Sequence, residues 1–211
     1  PTMDRVRRAV ANLDQGYRTE FRLRHKDGSY RWMLAQGSAL AGAGGRAVRV
    51  LGSHVDIAER NQAEEELRRR EGLLEKIFEI LPIGLWLADK NGTLLRGNPT
   101  GVRIWGAEPH VPISEYGVFK AWRLPSREPV GPEDWALAKT IRQGVTLSDE
   151  LLEIEAFDGK RRAILNYTAP VLGPSGEIQR AIIVNLDVTD RRSLEEQLRQ
   201  SQKMEAVGRL A

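Results

Sequence analysis

The chain has 211 residues, of which 41% are hydrophobic, and a formal net charge of +3, values that allow one or two domains with real cores. No stretch approaches the ~18 apolar residues of a membrane-spanning helix, and no charged-then-apolar leader opens the sequence, so we expect neither a span nor a secretion signal. The absence of cysteine excludes disulfides, thiolate metal sites and cysteinyl cofactor adducts, and charges that alternate in sign argue against nucleic-acid binding.

The first quarter of the chain is predicted to form a helix followed by three antiparallel strands. Apolar residues at helical spacing favour a helix over 3–16, which Gly16 ends. Apolar and charged side chains then alternate, as in a half-buried strand, and Asp27-Gly28 supplies a hairpin turn. The predicted strands are 17–24, 30–40 and 47–55, with a glycine turn at 42–45 before the last.

A charged helix is predicted to leave this sheet at Asp56, whose carboxylate can cap the first N–H groups. It carries a narrow apolar seam with a seven-residue repeat, typical of a parallel coiled coil, although Arg60 and Arg70 interrupt the seam. The alternative is a single helix that lies across a sheet. Pro82 ends the helix in either case. The seam consists of Ala63, Leu67, Leu74, Ile77 and Leu81.

The second half is predicted to contain a hairpin around Asp89-Lys90-Asn91-Gly92, followed by short helical pieces that begin at Asn98-Pro99. A Pro-rich stretch over 108–127 is expected to be irregular. A further helix over 132–144 has Pro132 at its first position and acidic residues in its first turn. Strands over 148–156, 161–171 and 178–186 follow, and a second capped helix begins at Asp187.

The sequence repeats itself without a gap at a long offset. When Asp27–Arg68 is aligned with Asp158–Arg199, thirteen of the forty-two positions are identical, where average composition predicts roughly two or three. The matched segment joins a β-rich stretch to the charged helix that leaves it. So long a period fits one small domain plus a linker, which excludes a solenoid repeat. We therefore expect two like modules, each ending in an exit helix.

The second module resembles a PAS domain, the sensory module of many signalling proteins. Gly84–Asn98 (GLWLADKNGTLLRGN), the Asp158-Gly159 turn, Pro170–Gly176 and Asp187–Arg191 (DVTDR) carry the likeness. The first module resembles the C-terminal half of such a domain through EFRLRHKDGSYRWMLAQGSAL and Asp56–Arg60 (DIAER). The resemblance implies an α+β fold, with a five-stranded antiparallel sheet and flanking helices in the second module. It implies a half domain, without its two opening strands, in the first.

The last ten residues, QKMEAVGRLA, resemble the start of the dimerisation and phosphotransfer helix of histidine kinases. The phosphate-accepting histidine of that family follows shortly after this segment, and none of His25, His54 and His110 matches its motif. The resemblance implies a parent two-component kinase, with its kinase domain in cis, a response regulator as partner and a cytoplasmic location for this segment. The sequence itself contains no Walker loop, GxGxxG or nucleophile elbow, and its histidines lack metal-ligand spacing.

The resemblance also implies a small-molecule site between the inner sheet face and the helices of the second module. Asn166 and Asn185 fall on neighbouring strands and can hydrogen-bond a polar ligand, with Trp105 and Trp135 as apolar walls. The alternative is ordinary core packing, in which the aromatic rings fill the space themselves. The cofactor is unknown. A thiol–flavin adduct needs a cysteine, which the chain lacks. A haem needs an axial ligand, and neither predicted helix contains a histidine. The candidates are Trp105, Trp135, Asn166, Tyr167 and Asn185, with Trp86 and Trp122 as further aromatic residues.

Together these features predict the sensing and signal-transmitting region of a sensor histidine kinase. Residues 1–56 are the C-terminal half of one PAS domain, 57–81 a coiled-coil linker, 82–188 a complete PAS domain, and 189–211 an exit helix that leads into the kinase dimerisation helix. The alternative is a scaffold, in which PAS modules dimerise or bind protein partners without sensing a ligand.

The predicted mechanism depends on the exit helices. A change at one sheet alters the direction or register of the helix that leaves it, and a coiled coil offers discrete registers. We expect a homodimer. The residues assigned to coupling are Asp56, Arg60, Asp187, Thr189 and Arg191. The residues assigned to the dimer interface are Leu67, Leu74, Ile77, Leu81, Leu194, Leu198, Met204 and Val207.

Overall fold

The computed structural model describes residues 16–42 and 47–208, which form an α+β structure with two antiparallel sheets. The predicted helix over 3–16 and most of the predicted turn over 42–45 lie outside the described residues. The chain divides into two units, Pro1–Leu73 and Leu74–Ala211, and the boundary falls inside a helix.

The first unit contains the predicted three-stranded meander. Strands β1 (Tyr17–Arg24), β2 (Tyr30–Ala41) and β3 (Ala47–Asp56) pair in that order. The turn between β1 and β2 is closed by a hydrogen bond from the Ser29 N–H to the Asp27 carboxylate at 2.8 Å, and Gly28 supplies the positive φ of 89° that the turn needs. The strand prediction is therefore confirmed within a residue at each end.

Helix α1 (Ala58–Ile80) follows β3, and Pro82 comes directly after its last hydrogen bond, from the Leu81 N–H to the Ile77 carbonyl. Strong helix formers fill its length, which explains why a segment without a packed face is helical. All of its residues are described, and none of them is buried. Helical propensity and surface ion pairs such as Arg70–Glu66, at 2.8 Å, stabilise a helix only weakly. The apolar side chains of the seam are left largely exposed to solvent.

The second unit is a seven-stranded antiparallel sheet with short helices on one face. Its strand order is β5-β4-β10-β9-β8-β6-β7. Its elements are β4 (Gly84–Asp89), β5 (Leu94–Gly97), α2 (Pro99–Trp105), a 3₁₀ helix (Ile113–Val118), β6 (Lys120–Arg123), β7 (Glu128–Pro129), a 3₁₀ helix (Pro132–Asp134), α3 (Ala136–Gln143), β8 (Leu147–Glu155), β9 (Arg161–Leu172), β10 (Ile178–Asp187) and α4 (Thr189–Gly208).

The five predicted strands are all present, but two more extend the sheet from the stretch that we expected to be irregular. Strand β6 pairs with β8, with Lys120 opposite Glu155 and Ala121 opposite Ile154. Its inward residue Ala121 is buried, whereas Trp122 lies beneath the Arg161 guanidinium, 4.9 Å from the ring centre. The predicted pattern failed here because this pairing is long-range and the strand has only four residues.

The helix predicted over 132–144 is broken at Trp135. This residue has an extended backbone (φ −56°, ψ 138°) between the 3₁₀ helix and α3, and its indole is buried in the core. The break turns the ring toward Trp105 and Phe119, at centroid distances of 6.1 and 6.0 Å. Aromatic packing therefore overrides helix propensity at this position.

Candidate functional site

A cavity of about 50 Å³ lies between the inner face of the sheet and the helices of the second unit. A cavity needs at least ~10–15 Å³ to hold one water molecule. This cavity can therefore hold a few water molecules or one small organic molecule. Aromatic rings make up much of its wall. The lining residues are Trp86, Leu94, Trp105, Tyr116, Phe119, Trp135, Leu137, Asn166, Thr168, Ile183 and Asn185.

A chain of hydrogen bonds crosses the inner sheet face beside this cavity. The Trp105 indole N–H donates to Asn185 Oδ1 at 2.9 Å, and Asn185 Nδ2 donates to Asn166 Oδ1, also at 2.9 Å. Asn166 Nδ2 then donates to the Glu150 carboxylate at 3.1 Å. An indole can only donate and an ionised carboxylate can only accept, so the two ends fix the direction of the amides between them.

The chain ends at a partly buried ion pair at the edge of the sheet. The Arg123 guanidinium lies 3.3 Å from Glu150, and it also donates to the Asp134 carbonyl at 3.1 Å. Asp149, beside Glu150, has a positive φ of 60° at a shift in the β8 register. By strand alternation Glu150 lies on the inner face with Leu152 and Ile154, and there it meets Asn166, its partner in the register.

Four of the five predicted ligand-binding residues line the cavity. They are Trp105, Trp135, Asn166 and Asn185, and Trp86 joins them. Tyr167 does not, because successive residues of a strand face opposite sides and its neighbour Asn166 points inward. Its hydroxyl instead donates to Asp149 at 3.0 Å on the outer face. Trp122 also lies away from the cavity, against Arg161.

The hydroxyl groups of the wall are paired with the protein. The Thr168 and Thr140 hydroxyls share a hydrogen bond of 2.7 Å, and the Tyr116 hydroxyl donates to the Gly92 carbonyl. Burial, and to a smaller extent the charge of Asp89, raises the pKa of Tyr116. The phenol therefore stays neutral at physiological pH and keeps this hydrogen bond.

The junction between β10 and α4 is built around Asp187. Its carboxylate accepts from the backbone N–H of Thr189 at 2.9 Å and from the Thr189 hydroxyl at 2.5 Å. The same hydroxyl accepts from the Ala163 N–H at 3.0 Å, while the Val188 N–H donates to the Ala163 carbonyl at 2.8 Å. The first turn of α4 is thus fixed to β9 as well as to β10, two residues beyond Asn185.

The first unit contains the same junction. The Asp56 carboxylate accepts from the Ala58 N–H at 3.0 Å, and the Ile57 N–H donates to the Trp32 carbonyl at 2.9 Å. Arg60 pairs with Glu20 at 2.9 Å, so it also joins α1 to the sheet of that unit. Arg191 occupies the equivalent place but pairs with Glu195 on its own helix at 2.8 Å.

A junction of a different kind, which the sequence did not predict, fixes the end of α1 within the second unit. Asn98 is fully buried and donates through Nδ2 to the Phe78 and Ile83 carbonyls at 3.1 and 2.9 Å. Its Oδ1 accepts from the N–H groups of Leu85 and Gly101 at 2.9 and 2.7 Å. The Asn-Pro pair signals a helix start, but the contacts with α1 and β4 depend on tertiary structure.

The predicted interface residues lie on the surface. Leu67, Leu74 and Ile77 of α1 and Leu194, Leu198 and Met204 of α4 are exposed, with Leu74 at 67% and Leu198 at 59%. Leu81, after the end of α1, is half-buried, and the side chain of Val207 lies outside the described part of the chain. Such long apolar side chains on charged helices favour a partner over solvent.

Within residues 16–42 and 47–208, no cluster of three or more histidine, aspartate or glutamate side chains is arranged to hold a metal ion. Among the helices of the same residues, none is both long and apolar enough to cross a bilayer.

Two family models match the chain, and both are described as a PAS fold. One covers residues 2–54 and the other covers residues 78–193, which is more than half of the chain. A structure of an RNA-binding light-oxygen-voltage receptor is similar with 15% identity and a TM-score of 0.47, covering 96% of this chain and 86% of that one.

Two curated relatives are also similar. The sensor protein kinase FleS of Pseudomonas aeruginosa is 28% identical over 71% of this chain and 31% of its own length. The uncharacterized protein y4lL of Sinorhizobium fredii is 23% identical over 87% of this chain and 22% of its own length. The chain therefore spans less than a third of either relative.

Proposed function

This chain belongs to the PAS family, and from that premise we propose that it is the sensing and signal-transmitting region of a two-component sensor histidine kinase. In this proposal residues 1–56 are the C-terminal half of one PAS domain, 57–81 a helical linker, 82–188 a complete PAS domain and 189–211 the exit helix toward the kinase. The similarity to a sensor kinase supports the assignment. The phosphotransfer itself belongs to the parent protein and its response regulator.

The sheet-to-helix junction, built twice, is the observation that carries the proposal. At both Asp56 and Asp187 a carboxylate that ends a strand accepts from the N–H two residues later. At both, the residue between is buried and bonded to the neighbouring strand. Capping alone needs only the carboxylate. The added contact with the sheet makes the starting direction of each helix depend on the position of the strands.

In the second unit, a structural change would enter at the end of α1 or at the cavity and leave through α4. Asn98 joins the last turn of α1 to β4 and α2, and α2 ends in Trp105 at the cavity. Trp105 is hydrogen-bonded to Asn185, and the backbone of β10 connects Asn185 to Asp187, which caps α4. A shift of the cavity wall, whether from a ligand or from α1, therefore moves β10 relative to its neighbours and changes the direction of α4.

Dimerisation completes the mechanism. Exposed leucines on α1 and α4 would pack against a second copy in a parallel coiled coil, whose discrete registers turn a small shift into a choice between states. The resulting homodimer would present two exit helices to the kinase domains in cis.

A scaffold without a ligand is the second candidate, and one observation favours it. Asn166 and Asn185 already bond each other, so these two amides do not require a ligand to satisfy them.

Insertions in α4 of the parent kinase distinguish the two candidates. After Glu196, two added residues turn the following helix by about 200°, whereas seven added residues turn it back to nearly its original face. A transmitting helix is expected to lose stimulus-dependent autophosphorylation with two residues and to keep it with seven. Equal responses from both variants would support the scaffold and contradict transmission.

A further inference from the structure

The cavity wall contains two polar groups that have no hydrogen-bond partner within residues 16–42 and 47–208. Trp86 and Trp135 both line the cavity and are both more than nine-tenths buried. Neither indole nitrogen has a hydrogen-bond partner. Buried N–H groups in native structures are almost always bonded to protein, water or ligand. These two therefore call for an acceptor from outside the chain.

One of the two nitrogens is obstructed by the chain itself. The Trp86 nitrogen is packed against the backbone of Gly101, where an added Cβ would lie 2.8 Å from it. The same ring covers Gly97 so closely that a Cβ there would lie 2.6 Å from it. Trp86 is thus enclosed by α2 and the end of β5. Trp135, whose neighbours include the rings of Trp105 and Phe119, is the remaining donor.

The unpaired polar groups of the wall are donors. Both amide oxygens are engaged by the chain from Trp105 through Asn185 to Asn166, and the Thr168 hydroxyl is paired with Thr140. Each amide group keeps a second hydrogen and a second lone pair beyond those used in this chain. The groups of the wall that lack any partner among the described residues are the two indole N–H donors, so a guest that supplies an acceptor satisfies a group that is otherwise unpaired.

The volume of the cavity and the lack of charge in its wall further limit which molecules can bind there. None of the lining residues carries a charge, and the nearest charge along the polar chain is the Glu150 carboxylate. An anion would lose its hydration without a cation to replace it. At ~10–15 Å³ for each water-sized occupant, a volume of about 50 Å³ admits roughly four non-hydrogen atoms.

We propose that this cavity binds a small uncharged molecule through a hydrogen-bond acceptor such as a carbonyl oxygen, and that the Trp135 indole N–H is the donor. The biological meaning of this site rests on the proposed sensing function, whereas the binding event is a separate property of the chain. A guest bonded to Trp135 lies against Trp105, the first donor of the hydrogen-bond chain. Binding is therefore placed to act on Asn185 and the strand that leads to α4.

Three probes of one shape test the proposal on the 211-residue chain. Acetone has the acceptor, isobutene has the shape without it, and acetate has the shape with a negative charge. Each is titrated while the five tryptophan indole signals are followed by ¹H–¹⁵N NMR. We expect acetone to shift the Trp135 signal saturably, and isobutene and acetate to bind at least about tenfold more weakly.

Variants assign the donor. Trp135→Phe keeps a buried ring and removes the N–H, so it is expected to weaken acetone binding about tenfold. Trp122→Phe, at a tryptophan that lies away from the cavity, is expected to leave binding unchanged. The proposal is overturned if acetone gives no saturable shift in the folded wild-type chain. It is also overturned if isobutene binds as well as acetone, or if the Trp135→Phe variant binds acetone as well as the wild-type chain does. None of these outcomes depends on kinase output, so failure here leaves the transmission proposal to its own tests.

Discussion

In the proposed parent kinase, the Asp187→Ala variant is expected to lose most of its response to stimulus while it keeps its fold. The carboxylate holds both the N–H and the hydroxyl of Thr189, and that hydroxyl is bonded to β9. Loss of a helix cap costs ~1 kcal/mol, a minor part of the 5–15 kcal/mol that typically stabilises a domain. Coupling between sites is commonly worth 1–3 kcal/mol, so the stimulated change in autophosphorylation should fall at least about tenfold.

Asp190→Ala is the matched control for this prediction. Asp190 is exposed and also lies in the first turn of α4, so its loss removes the same charge from the same helix end. We expect an almost unchanged stimulated response from it. Circular dichroism and thermal unfolding of both variants report the fold, and autophosphorylation with and without stimulus reports coupling. A normal response from Asp187→Ala would exclude the junction from signalling.

Leu74→Glu is expected to convert the proposed dimer to a monomer. Leu74 is 67% exposed in one chain and lies at the centre of the seam formed by Leu67, Ile77 and Leu81. In a parallel coiled coil the two copies meet at this layer, so the variant would bury two facing carboxylates without a cation. Because an unpaired buried charge costs several kcal/mol, the dissociation constant should rise by at least about 100-fold. Sedimentation equilibrium measures it.

Gly72→Glu provides the control on the opposite side of α1. A Cβ atom added at Gly72 meets no atom of another part of the described chain within 4 Å, so the substitution begins without a clash. It adds the same charge to the same helix, about 180° from the seam by helical geometry. We expect it to dimerise like the original chain. If both glutamate variants stay dimeric, the dimer does not use this seam.

Local patterns predicted most strands and turns because their determinants are local. The alternation of apolar and charged residues along Tyr17–Arg24, and turn residues such as Asp27-Gly28, can be recognised without information about distant contacts. Strand β6 was missed because it exists through pairing with β8, which is more than twenty residues away, and the two-residue strand β7 exists only through pairing with β6. The break at Trp135 was missed for a related reason, since a buried ring outweighs a favourable helix start.

The candidate site was predicted in part. Asn166 and Asn185 lie directly opposite each other on β9 and β10, as their places on neighbouring strands indicated. Strand alternation alone would have removed Tyr167 from the same cluster, so that error had a signal in the sequence. Alternation with Leu152 and Ile154 likewise places Glu150 on the inner face, so its role also had a signal in the sequence. The role of Asn98 had none, because it depends on three segments that meet only in the fold.

Disulfide cross-linking along α1 tests the central claim, paired helices that carry the signal, most directly. The chain lacks cysteine, so a single cysteine introduced at each position from 63 to 81 is its only thiol. A disulfide requires Cα atoms within ~4.4–6.8 Å, which a parallel coiled coil provides only along its seam. The account predicts a seven-residue periodicity, with high yields at Leu67, Leu74 and Leu81 and low yields at Gly72 and Lys76. Uniform yields, or none along the seam, would contradict it.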